Sequence, residues 1–109
     1  MKKFCLVLLV ASLWLAVNVR AENPGGKVFE SLGCGVCHKS EASETFPSLK
    51  QMTQAYQAKA NQLIKYLNGE AEPIMRPEKA SRMKRYIEKT KALSDADRQA
   101  LVDFIMSHK

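Results

Sequence analysis

The chain has 109 residues, a formal charge of +6 and three cysteines. That length holds one domain rather than two. Lys2, Lys3 and Arg20 supply three of the positive charges. The remainder carries only about +3, too little for a nucleic-acid-binding footprint.

Lys2 and Lys3 precede an apolar run from Phe4 to Val19, which stops at Val19-Arg20-Ala21. This is the plan of a secretory leader cleaved after Ala21. The run is about 16 residues, short of the roughly 20 that a spanning helix needs. We therefore expect residues 1–21 to be a signal peptide and 22–109 to be the working domain, periplasmic and not membrane-spanning. A retained anchor is the alternative. Cys5 has no lipobox before it and leaves with the leader, as does Trp14. Only Cys34 and Cys37 remain. A disulfide between them would close a trivial loop, so this is not a disulfide framework.

Pro24-Gly25-Gly26 marks a loop, followed by a helix over 27–33 with Val28, Phe29 and Leu32 as its apolar stripe. Gly33 ends that helix immediately before Cys34-Gly35-Val36-Cys37-His38. C-x-x-C-H is the attachment signature of c-type haem. Two thiols add to the two vinyl groups of the porphyrin, and the adjacent imidazole reaches the iron from one face. A thioredoxin-like reading needs a βαβ context that the chain lacks. A zinc reading needs about four ligands, and the mature chain adds only His108 and unpatterned carboxylates. His108 itself reads as a surface residue. Export agrees with haem c, which is attached outside the bacterial cytoplasmic membrane.

A polar loop over 39–45 leads to Phe46-Pro47-Ser48-Leu49. Ser48 is placed to cap a helix running through residue 57, with Leu49, Met52 and Tyr56 on one face. A helix over 61–68 carries Leu63, Ile64 and Leu67, and Gly69 is a good C-terminal stop. Pro73 and Pro77 break any helix across them, but Pro77 can open one running on toward residue 89. This stretch is rich in Arg and Lys. Ser94-Asp95-Ala96-Asp97 caps a last helix bearing Leu101, Phe104 and Ile105. Strand-like alternation and internal repeats are absent, so the expected class is all-α.

Taken together, the helix with Phe29, the C-x-x-C-H motif, the Pro47-Ser48-Leu49 step and the capped last helix resemble a small soluble bacterial class I cytochrome c. The likeness covers nearly all of residues 22–109. It is closest, over 62–71 and from Leu93 onward, to a subgroup with an extra helical segment before its axial Met. The resemblance implies four to five helices wrapped around one covalently bound haem c. It implies thioethers at Cys34 and Cys37, and iron ligation by His38. It also implies that Phe29 packs on the last helix and that the Pro47 carbonyl accepts a hydrogen bond from the His38 ring. The family usually has Gly before that Pro, where this chain has Phe46.

The family closes the far face of the iron with a Met sulfur, a soft ligand that raises the potential. Met52 fits a core stripe and Met106 lies in the last helix, which leaves Met75 and Met83. Met75 is followed closely by Pro77, a familiar arrangement. Counting from Gln62 forward and Leu93 back against the similar subgroup places the axial Met on Met83.

The function so implied is one-electron transfer by a monomeric, non-enzymatic carrier. Its partners would be redox proteins: a quinol-oxidising cytochrome complex or dehydrogenase as donor, and a terminal oxidase or reductase as acceptor. Lys39, Lys50, Lys84 and Arg85 lie in segments expected around the exposed haem edge. The alternatives are a membrane-anchored subunit of a respiratory complex and a peroxidase or gas sensor with an open distal site.

Overall fold

The computed structural model describes residues 23–41 and 43–109. The expected leader over 1–21 lies outside them. Among the described residues there are five α-helices, two 3-10 segments and no strand. The class is all-α.

Helix α1 spans Pro24–Ser31. It begins three residues before the start expected at Lys27, and the reason is local. The Asn23 side chain accepts the Gly25 N–H at 3.1 Å, and Pro24 occupies the first turn, where its missing N–H costs nothing. Gly25 and Gly26 are poor helix formers, but α1 crosses α5 there. A Cβ on Gly25 would fall on the Ala100 carbonyl. Four residues on, Phe29 meets Phe104 of α5 with ring centroids 5.2 Å apart.

Gly33 turns left-handed (φ +74°) after α1 and feeds the 3-10 turn Cys34–Val36. Helix α2 spans Leu49–Ala55 behind a reciprocal cap. The Gln51 N–H donates to Ser48 Oγ at 3.1 Å, and the Ser48 N–H donates to Gln51 Oε1 at 2.9 Å. Helix α3 spans Ala60–Leu67. It ends through Gly69 (φ +74°), with Gly69 N–H on the Tyr66 carbonyl and Glu70 N–H on the Lys65 carbonyl. This is the paired pattern of a left-handed glycine stop.

The single helix expected from Pro77 onward is divided. Residues Pro77–Met83 wind as 3-10, and α4 begins at Lys84 and runs to Lys91. Arg76 before it takes the left-handed region (φ 43°), uncommon for a residue with a Cβ. Helix α5, Asp95–Met106, is capped by Ser94 Oγ, which accepts the Asp97 N–H at 3.1 Å. Asp95 and Asp97 complement the positive end of its dipole.

The core lies where α1, α2 and α3 meet α5. Leu101 and Val102 are fully buried, with Phe29, Leu49, Met52, Tyr56, Leu63, Leu67 and Ile105 around them. Two buried threonines fasten the helices to one another. Thr53 Oγ1 of α2 donates to the Ile105 carbonyl at 2.7 Å, and Thr90 Oγ1 of α4 donates to the Leu67 carbonyl at 2.6 Å. Arg98 is also buried, at 4% exposure, with its guanidinium spread over backbone carbonyls between α4 and α5. His108 is not the surface residue expected. It is half-buried against Phe104, ring centroids 4.8 Å apart, where the chain turns just beyond α5 and brings His108 Nδ1 to 3.2 Å from the Ile105 carbonyl.

Candidate haem site

The C-x-x-C-H stretch folds back on itself. The Cys37 and His38 N–H groups both donate to the Cys34 carbonyl, at 3.3 and 2.9 Å. That turn holds Cys34, Cys37 and His38 along one wall of a cavity of about 860 Å³, part of it open to solvent. Both thiols are free and half-buried. Burial pushes the Cys34 thiol above its ordinary range, partly offset by its backbone hydrogen bond and by Lys89.

His38 Nδ1 lies 2.9 Å from the Pro47 carbonyl. A carbonyl only accepts, so Nδ1 carries the proton and Nε2 keeps its lone pair for a metal. The surrounding loop holds this pair in place. Leu49 N–H donates to the Lys39 carbonyl at 2.9 Å, closing the chain on both sides of the site. Phe46, where the family usually has Gly, sets its ring edge-on to the imidazole at 6.4 Å. The Phe46 backbone is turned by Ser43, whose Oγ accepts the Phe46 N–H at 3.0 Å.

Met75 and Met83 both line the cavity. Met75 is packed against the hydrophobic core, whereas Met83 stands at the junction of the 3-10 segment and α4. Met52 lines the cavity too, from within the core. Met106 packs on the core and does not line the cavity.

Some lining residues escaped the sequence reading. All three tyrosines of the chain, Tyr56, Tyr66 and Tyr86, border the cavity. Burial raises the Tyr56 phenol, an effect tempered by the Ile74 N–H that its oxygen accepts at 3.3 Å. Burial, then Tyr56 and Glu72, push the Tyr66 phenol up to about 12. Arg76, Lys79 and Arg82 line the cavity at three-residue spacing, as do Ala80, Met83 and Tyr86. That spacing was visible in the sequence, but it suits the period of a 3-10 helix rather than an α-helix. A second, more open groove beside Cys37 is lined by Phe46, Ser81, Arg82, Lys84, Arg85, Tyr86 and Glu88, three cations against one carboxylate. Arg82 sits over the Phe46 ring at 6.0 Å, and Arg85 over Tyr86 at 5.0 Å. Lys39 and Lys50 are exposed but line neither groove. Val36, between the two cysteines, is 76% exposed.

These residues fit a c-type haem. The thiols stand on one short turn, one imidazole nitrogen is committed to a carbonyl, and thioether sulfurs and aromatic rings complete the lining. Fold and site define a small class I cytochrome c. The sequence profile of the Cytochrome c family matches residues 23–109, and the chain belongs to that family. No curated protein matches it closely enough to serve as a relative. The cofactor is covalently attached haem c, and the family's work is haem-based electron transfer with redox proteins as partners. No helix among the described residues is long and apolar enough to cross a membrane.

Proposed function

We propose that the chain is a periplasmic one-electron carrier in which Cys34 and Cys37 hold haem c, His38 and Met83 ligate the iron, and residues 1–21 are removed as a leader. When bound, the haem supplies a ferrous/ferric couple. The protein supplies the rest. The Pro47 carbonyl holds the His38 Nδ1–H and so orients the ring and strengthens Nε2 as a donor. Met83 would hold the iron through a soft sulfur, a donor that favours the reduced metal. With His38 and Met83 both given to the iron, no position would be left for a substrate, and the residues would serve electron relay rather than catalysis.

The carrying observation is the placement of His38, already committed at Nδ1, in one cavity with Met83. Met83 is preferred to Met75 because Met75 is already used in core packing. The cations Arg82, Lys84 and Arg85 beside Cys37 suit an acidic partner face, so the carrier docks through this rim. The donor is a quinol-oxidising complex or dehydrogenase, and the acceptor a terminal oxidase or reductase.

The test is the weak long-wavelength charge-transfer band between a Met sulfur and ferric iron. Met83→Ala is expected to abolish the band and to open the ferrous protein to rapid carbon monoxide binding. Met75→Ala is expected to keep the band. The reverse pattern would transfer the axial role to Met75.

A further inference from the structure

We propose that Arg98 is a positioning residue for the distal methionine, acting through helix α4. The inference rests on reading Met83 as the iron's far ligand. Arg98 is 4% exposed, yet it belongs to α5 and touches no wall of the cavity. Its fork is spent on the end of another helix. Nε donates to the Thr90 carbonyl at 3.1 Å, and Nη2 to the Lys91 and Leu93 carbonyls at 2.9 and 2.7 Å. Nη1 is held by Asp95 Oδ1 at 2.9 Å.

The final carbonyls of a helix have no partner within it. Arg98 supplies partners for those of α4 and places a cation at the negative end of its dipole. Thr90, in the same turn, is 2% exposed and donates to the Leu67 carbonyl of α3 at 2.6 Å. The C-terminal turn of α4 is therefore fastened on two sides. Its other end has no such hydrogen-bonded clamp: Met83, at the N-cap, forms no side-chain cap, Lys84 and Arg85 are exposed, and Ile87 is the first residue to pack on the core.

An eight-residue helix has little stability of its own. Its direction follows from where it is pinned. Met83 lies seven residues from Thr90, about 10 Å along the helix axis. A small tilt at the clamp moves the sulfur by a comparable fraction of that length. A Lys at position 98 keeps the charge but cannot reach three carbonyls with one planar fork. The clamp thus governs how firmly the sulfur is presented, while His38 is held independently by Pro47.

The experiment uses the holoprotein and compares Arg98→Lys with the parent. Two quantities are read: the temperature at which the ferric charge-transfer band disappears, set against the far-UV dichroism Tm, and the rate of carbon monoxide binding to the ferrous form. The inference expects the band of Arg98→Lys to vanish further below its Tm than in the parent, and carbon monoxide to bind at least tenfold faster. A band and Tm that fall together, with an unchanged carbon monoxide rate, would overturn it and leave Arg98 a residue of general stability. If Arg98→Lys does not fold, Asp95→Asn loosens the same fork from an exposed position and must show both changes in smaller degree. Met83→Ala run in parallel separates the two ideas. If it keeps the band, the ligand reading fails and this inference with it. If it loses the band while Arg98→Lys matches the parent, only the inference fails.

Discussion

Tyr66 is half-buried in the cavity wall, and its phenol is held up at about 12 against an ordinary 10. Below about 10 both folded and unfolded chains keep this proton, and the group makes no pH-dependent difference. Above that the unfolded chain loses its proton first, so stability falls as pH rises through 10 toward 12. Tyr66→Phe is expected to flatten that fall. Denaturant midpoints measured at several alkaline pH values check it, with the near-ultraviolet phenolate signal reporting the titration. His38 illustrates what a sequence discloses at this scale. The motif named the residue, but only the 2.9 Å approach of Pro47 decides which nitrogen holds the proton. Arg98 illustrates the same limit. It stands in phase with the apolar stripe of Leu101, Val102 and Ile105, but that spacing does not say which three carbonyls its guanidinium meets.

At the scale of elements, the crossing of α1 and α5 depends on a missing side chain. Gly25→Ala would add a good helix former, worth up to about 1 kcal/mol in α1. The added methyl meets Ala100 backbone, which cannot swing aside as a side chain can. Overpacking of this kind costs about 1–3 kcal/mol. The net expectation is a lower Tm with reduced holoprotein yield, read by thermal dichroism and haem absorbance. The helices with strong stripes and stop signals, α2, α3 and α5, were legible in outline because capping and periodicity are local. The start of α1 was missed because two glycines argued for a loop, and the Asn23 cap with Pro24 in the first turn outweighed them. The division at Met83 was missed because Pro77 announces a helix without announcing its pitch. Thr53 and Thr90 hold helices together through carbonyls 52 and 23 residues away, a separation no window of sequence spans.

For the molecule as a whole, the relevant quantity is an asymmetric rim on a modest net charge. Arg82, Lys84 and Arg85 gather beside Cys37, and the apolar Val36 is exposed next to that residue. Such a rim steers encounter more than it adds affinity. Electron exchange with an acidic partner is expected to slow as salt rises. Lys84→Glu is expected to be several-fold slower at low salt, with the difference fading near 1 M, where the Debye length is only about 3 Å. Stopped-flow exchange rates at several ionic strengths check both. The rim escaped the sequence reading in part: Lys84 and Arg85 were named, but Arg82 joins them only because 3-10 winding brings it beside Phe46.

That winding has a consequence for how the chain tolerates change in length. Each residue of a 3-10 helix advances the phase by about 120° and the axis by about 2 Å. Lys79 and Arg82 therefore share one azimuth, and Ala80 and Met83 share the next. A single residue inserted or deleted within Pro77–Met83 would rotate the thioether away by a third of a turn, along with everything attached to α4. Three residues inserted together would restore the phase and shift the sulfur by about 6 Å along the axis. The segment accordingly behaves as a vernier: substitutions along it are graded in effect, whereas changes of length are quantised in units of three.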